Sequence, residues 1–180
     1  MLEKEFIKKL KRGDKKAFNE LIDKFQNKIF GLINLIMNDP SITEDLAQEV
    51  FLRVLKGIPY FRGDSKLSTW IYRITYNVCL AEIKKSGKSP RIIYNEKAGN
   101  FLNNLHFYNN AQINKIELEK RIRKFLDILP INYKTVLSLY YWQELTYQKI
   151  AEAMNIPVGT VKTYIHRAKK LLKQKILEEK

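Results

Sequence analysis

Cysteine is nearly absent: Cys79 is the only one. One thiol excludes an internal disulfide, so a cytoplasmic protein is the simplest expectation. Cys79 itself reads as a small buried apolar residue. Histidine is almost as scarce, with two in 180 residues. His106 has no second ligand near it, so no metal site and no cofactor are expected. Glycine (7) and proline (5) are few, and no strand-like alternation persists. Helical spacing recurs throughout, which predicts an all-α fold. Long hydrophobic runs are missing too. The longest, Ile29 to Met37, is broken by Asn34 and falls far short of the roughly 20 residues a span needs, so no membrane insertion is expected. The opening stretch MLEKEFIKKLKRGDKK has no continuous apolar core and does not read as a signal peptide. Acidic residues are outnumbered 19 to 33 by lysine and arginine, leaving a net charge of +14. That balance favours a polyanionic partner, nucleic acid first and an anionic membrane surface second.

What is there centres on Leu145 to Leu172, LTYQKIAEAMNIPVGTVKTYIHRAKKLL. It reads as two short helices and a tight turn. Thr146 is placed to cap the first helix, and Ile150 and Met154 share one face beside the small Ala151. Asn155 suits a left-handed helix end. Pro157 stops the first helix and opens the second. In the second helix Val161, Ile165, Ala168 and Leu172 form a docking stripe. Thr160, Thr163, His166, Arg167 and Lys170 lie opposite, flanked by Lys162 and Lys169. The plain alternative is a helical hairpin with a solvated lysine face. Hydroxyls among the cations, and a small residue where helices cross, favour a helix-turn-helix that enters the major groove.

Upstream, a helix over about Leu2–Lys11 gives way at Gly13-Asp14, and Asp14 is placed to cap the next. That helix, about Lys16 to Met37, buries Phe18, Leu21, Ile22, Phe25, Ile29, Leu32, Ile33 and Ile36. Ser41 and Glu44 form a capping-box pair. The helix they open turns Leu46, Val50, Phe51 and Val54 inward and Glu44, Asp45, Gln48, Glu49 and Arg53 outward. In so basic a chain that acidic face is unusual. Carboxylates at a helix N-terminus account for Glu44 and Asp45 but not for Glu49, so a protein partner is an equal reading. Tyr60 to Lys66 form a loop, with Asp64 or Ser65 placed to cap the following helix. That helix is expected to bury Leu67, Ile71, Ile74, Val78 and Ala81 and to show Trp70, Arg73, Asn77 and Lys84, with Tyr72 and Tyr76 alongside. Aromatics among cations and amides suit single-stranded DNA. Taken singly, Trp70, Tyr72 and Tyr76 fit better as packed aromatics. Residues 87–110 lose periodicity and read as a linker. Helical spacing resumes near Ile113, breaks at Leu129-Pro130 and continues from about Tyr133 to Tyr141.

Together these pieces resemble a bacterial sigma factor of the extracytoplasmic-function group. ITEDLAQEVFLRVLKGI is similar to the family's second-region helix, FRGDSKLSTWIYRITYNVCLAEIKK to its promoter-melting segment, and LPINYKTVLSLYYWQELTYQKIAEAMNIPVGTVKTYIHRAKKLL to its fourth region. The resemblance implies two small helical domains, 1–86 and 113–180, joined by a flexible linker over 87–112. It implies binding to RNA polymerase core, through the beta-prime clamp helices and the beta flap, and to promoter DNA. Asp45, Gln48 and Glu49 match the clamp-helix surface. Gly63 to Lys66 match the loop that captures a flipped minus-10 base. Tyr60, Phe61 and Arg62 precede that loop, and Trp70, Arg73 and Asn77 would lie along the non-template strand. Thr160, Lys162, Thr163, His166, Arg167 and Lys170 would meet the minus-35 element. An anti-sigma factor is the implied regulator, and no catalytic residue is implied. Asn155 and Pro157 depart from the glycine and serine common in the family, and the linker is basic where family linkers are often acidic. Two rivals explain less. A stand-alone helix-turn-helix regulator leaves the acidic helix and the aromatic segment unused. A recombinase or nuclease needs a nucleophile or a third metal ligand beside Asp45 and Glu49.

Overall fold

The computed structural model describes residues 3–87, 125–126 and 129–178, with side chains as far as residue 174. Seven α-helices of four residues or more, and no strand, occur among them: α1 (Glu3–Lys11), α2 (Lys15–Met37), α3 (Thr43–Gly57), α4 (Leu67–Lys85), α5 (Ile131–Tyr141), α6 (Tyr147–Met154) and α7 (Val158–Glu178). Apart from Gly87, the expected linker over 87–112 lies outside the described residues, as does the helical spacing from Ile113 to Ile122.

Local chemistry starts and stops most of these helices. Asp14 accepts hydrogen bonds from the amides of Lys16 (2.8 Å) and Ala17 (3.1 Å) and so opens α2. Asn38, left-handed at φ 52°, ends it. The Ser41–Glu44 capping box does not form. Asp39 instead accepts from both the amide and the hydroxyl of Ser41, which holds Pro40–Ile42 as a 3-10 turn, and α3 begins at Thr43 without a side-chain cap. The carboxylate two residues earlier reaches the Ser41 amide first. The start of α4 is also not local. Neither Asp64 nor Ser65 caps it; Lys66 holds the cap position, and the Leu67 amide donates to the Glu3 carboxylate of α1 at 3.0 Å.

In the N-terminal unit α2, α3 and α4 pack around Leu21, Ile29, Leu32, Ile33, Val50, Val54 and Ile71, all fully buried. The stripe expected on α2 is the core face, with Phe18 and Ile22 at its margin. The C-terminal unit closes α5, α6 and α7 around Val136, Leu139, Ile150 and Val161. The two units meet, α4 against α6 and α2 against α5, and one apolar core runs through both. Burial of this kind contributes ~25 cal/mol per Å² of apolar surface, so the junction is a packed interface.

Candidate nucleic-acid interface

The aromatic site grows from the end of α3. A 3-10 turn at Ile58–Tyr60, with Pro59 inside it, throws the chain outward, and Phe61 folds back into the core. Gly63 sits at φ 84°, a conformation that glycine adopts without a Cβ penalty. The loop it shapes walls a cleft of about 390 Å³, lined by Tyr60, Arg62, Asp64, Trp70, Arg73 and Glu152 among others. Tyr60 is 83% exposed. Trp70 leans on Phe61 with ring centroids 5.0 Å apart. Its benzo edge lies over Gly57, where an added Cβ would stand 3.0 Å from Cζ2. The residues singled out from Tyr60 to Ser65, together with Trp70 and Arg73, therefore line one cleft. Lys66 and Asn77 are exposed but lie outside its lining. Phe61 is buried and supports Trp70 from beneath.

The helix-turn-helix forms as read. The Thr146 hydroxyl accepts from the Lys149 amide at 3.4 Å, and Asn155 ends α6 left-handed at φ 54°. The Pro157 carbonyl accepts from the amides of Thr160 and Val161, so the missing proline N–H falls where no helical bond is due. Val161, Ile165 and Ala168 are buried, and Leu172 packs with Leu126, Leu129 and Tyr133. Lys162, Thr163 and His166 are exposed; Thr160, Arg167 and Lys170 are partly covered. The Thr163 hydroxyl donates back to the Gly159 carbonyl at 2.9 Å, which leaves its lone pairs outward.

On α3, Asp45 and Gln48 are exposed and Glu49 is partly so, paired with Arg53 at 2.6 Å. Beside them runs an apolar groove of about 400 Å³ between α2 and α3, with Phe30, Leu52 and Leu55 among its lining. Leu52 and Leu55 are 49% and 46% exposed.

Comparison with known proteins follows this geometry. The Sigma-70 region 2 family matches residues 21–89, and the Sigma-70, region 4 family matches residues 119–172. The ECF RNA polymerase sigma factor SigW of Bacillus subtilis is 35% identical over 185 residues, covering 98% of this chain and 97% of SigW. The chain belongs to the extracytoplasmic-function sigma factors. The ECF RNA polymerase sigma-E factor of Haemophilus influenzae is 34% identical, covering 94% of this chain and 93% of its own. Among solved structures, CnrH in complex with the cytosolic domain of CnrY shares the fold at a TM-score of 0.71 and 16% identity, covering 99% of both chains. RpoE in complex with the anti-sigma factor NepR from Bartonella quintana shares it at 0.67 and 16%, covering 88% of this chain and 96% of that one. As a sigma factor, this protein directs RNA polymerase to promoters.

The aromatic helix of this sigma factor carries contacts that its sequence did not announce. Tyr72 and Tyr76, placed by spacing alongside the exposed face of α4 but taken singly a better fit as packed aromatics, are buried, whereas Ala81, expected inside, is exposed. Both phenols reach across to the C-terminal unit: Tyr72 donates to the Gln143 side chain at 2.6 Å and Tyr76 to the Asn132 side chain at 2.7 Å. Burial pushes the Tyr72 phenol up to about 12 from 10.0 and does the same to Tyr76, with Tyr164 nearby adding to the second. Burial also pushes the Cys79 thiol up to about 12, which keeps it protonated and unreactive. The exposed Leu52 and Leu55 did carry a sequence signal, because both fall off the Leu46–Val50–Val54 stripe. Among the described residues no helix is long and apolar enough to cross a membrane, and no three His, Cys, Asp or Glu side chains converge as for a metal ion.

Proposed function

We propose that this sigma factor divides its promoter work between two faces. The cleft beside Trp70 takes a base from the opened minus-10 strand, and the exposed face of α7 reads the minus-35 duplex. The observation that carries the first assignment is the cleft itself: a supported indole, an exposed Tyr60, two arginines and two acidic residues around one concavity. Stacking is worth about 1–3 kcal/mol per base, and unstacking a duplex step costs a few kcal/mol, so one captured base tips a nearly balanced opening. Asp64 supplies an acceptor for a base edge, and Arg62 and Arg73 supply charge for phosphates. On α7, Lys162, Thr163, His166 and Arg167 face bases, while Thr160 and Lys170 approach the backbone. In this reading residues 1–86 act as region 2, 113–180 as region 4, and 87–112 as the link.

Asp45, Gln48 and Glu49 dock on the polymerase core through the beta-prime clamp helices. The groove beside them, with Leu52 and Leu55 exposed, gives that contact an apolar part next to its charged one. The C-terminal unit engages the beta flap. The chain performs no bond chemistry; nucleotidyl transfer belongs to the polymerase, and the workplace is the cytoplasm. The solved complexes of CnrH with CnrY and of RpoE with NepR are the reason to expect an anti-sigma partner here.

Run-off transcription with purified core polymerase on a promoter library tests the reading. Transcripts that depend on this protein are the expected result, with permanganate-reactive thymines at the opened segment. Trp70→Ala should lower that reactivity while core binding holds, and an artificially pre-melted bubble should restore transcription. Normal opening by Trp70→Ala would remove the cleft from the mechanism.

A further inference from the structure

Helix α1 lies outside both matched family segments, 21–89 and 119–172, and neither of the two promoter faces uses it. Residues 3–16 hold seven cations and three carboxylates. The packing of α1 sorts them. Phe6 and Leu10 are buried, and Ile7 packs on the same core. At 3.6 residues per turn, Lys4, Lys8, Lys11 and Arg12 then fall on the opposite face, and all four are exposed. Glu3 points the other way and accepts from the Leu67 amide at 3.0 Å, while Asp14 is turned onto the amides of Lys16 and Ala17. Glu5 is the one carboxylate left on the outer side of α1. The turn at Gly13 continues the charge into Lys15 and Lys16, also exposed. Among the described residues none of these six exposed cations forms an ion pair. The element that carries them is firmly seated, because α1 packs on α2 and on the 3-10 turn at Ile58–Tyr60 and is bonded to the start of α4.

We propose that the outer stripe of α1 is a third nucleic-acid surface, which grips the phosphate backbone of duplex DNA without reading its sequence. From Lys4 to Arg12 the helix rises about 12 Å. Duplex DNA carries one charge per ~1.7 Å of axis, so that length faces about seven phosphates. A duplex is the densest match for four cations on one rigid helix, and each phosphate neutralised releases condensed counterions. The stripe holds no aromatic side chain and no amide for base edges, so charge is all it offers. A membrane surface fits less well. An interfacial helix needs an apolar face to bury in the lipid, and that of α1 is already inside the core.

The test titrates the full chain against a short, fluorescein-labelled duplex of mixed sequence, read by anisotropy at KCl concentrations from about 50 to 200 mM. The duplex holds no promoter element, so the result is independent of the minus-10 and minus-35 readings. Lys4→Gln, Lys8→Gln and Lys11→Gln together should lower the slope of log affinity against log salt by about 2–3, since each phosphate contact contributes about 0.9. Changing the same three residues to Arg should keep the parent slope. Lys28→Gln, Lys56→Gln and Lys85→Gln remove equal charge from exposed positions elsewhere and should move the slope by less than half as much. Helical circular dichroism checks the fold; if the triple variant loosens α1, Lys8→Gln alone should lower the slope by about 0.9. A parent that does not bind the duplex, or a glutamine variant with the parent slope, overturns the proposal. Equal losses in the two glutamine sets make the effect one of net charge and overturn it as well. So does binding to phosphatidylglycerol vesicles that the first set abolishes while duplex affinity holds, which would make the stripe a membrane contact.

Discussion

Gly57 is small for a reason that only Trp70 explains. An alanine Cβ would meet the indole at 3.0 and 3.3 Å, so in Gly57→Ala the ring must give by a few tenths of an ångström against Phe61. Overpacking typically costs 1–3 kcal/mol, and removing a helical glycine returns about 0.5–1. The expected net loss is about 1 kcal/mol, read by urea unfolding. A shift in Trp70 fluorescence should accompany it, measured with Trp142→Phe so that one indole reports. A wild-type spectrum would mean that the ring is not seated on Gly57. Thr69 is the opposite case. Its hydroxyl is fully buried with no hydrogen-bond partner, and an unsatisfied buried polar group costs about 1–3 kcal/mol. Thr69→Val keeps the shape and should raise stability by about 1 kcal/mol. The same unfolding curves would show a loss instead if the hydroxyl had a partner.

Helix ends show what was legible beforehand. Asp14, Thr146 and Asn155 each act within two or three residues of themselves or on their own φ, so their chemistry is written in a few letters. Asp14→Ala should cost about 1 kcal/mol, the usual worth of an N-cap. Asn155→Ala should cost about 1 kcal/mol as well, because a residue with a plain Cβ resists the left-handed region. Thermal unfolding checks both. The apolar stripes of α2 and α7 were equally readable, since a 3.6-residue period needs no partner to be seen. The start of α4 was not, because its amide is satisfied by Glu3, 64 positions away. The aromatic face of α4 stayed open between two readings for a related reason. Tyrosine carries an apolar ring and a polar tip, so its sequence pattern fits stacking on DNA as well as packing on another helix. Only the distant positions of Gln143 and Asn132 decide between the two. The loop residues of the cleft were picked out by family resemblance and Trp70 and Arg73 by helical spacing, but Glu152 was not, since it belongs to another helix by sequence.

Over the whole molecule the two buried phenols tie stability to alkali. Their folded pKa values stand at about 12 against 10.0 when unfolded. The folded state thus keeps protons that the unfolded state releases. The contribution of these groups is fully present below pH 10 and is lost as pH climbs through about 12. Unfolding midpoints should therefore fall across that window, and Tyr72→Phe with Tyr76→Phe should flatten the fall. A parent midpoint independent of pH from 10 to 12 would show that both phenols ionise freely. The hydrogen-bonded contact between α4 and the C-terminal unit also has a consequence for the newborn chain. The ribosome delivers α1 to α4 before any of the acceptors on α5 and α6 exist. At roughly 5–20 residues per second, Asn132 and Glu152 follow Tyr76 and Arg73 by about 3–16 s. For that interval the nascent N-terminal unit displays Tyr72 and Tyr76 uncovered. Each molecule thus shows this face of α4 once, at birth, before the C-terminal unit arrives to bury it.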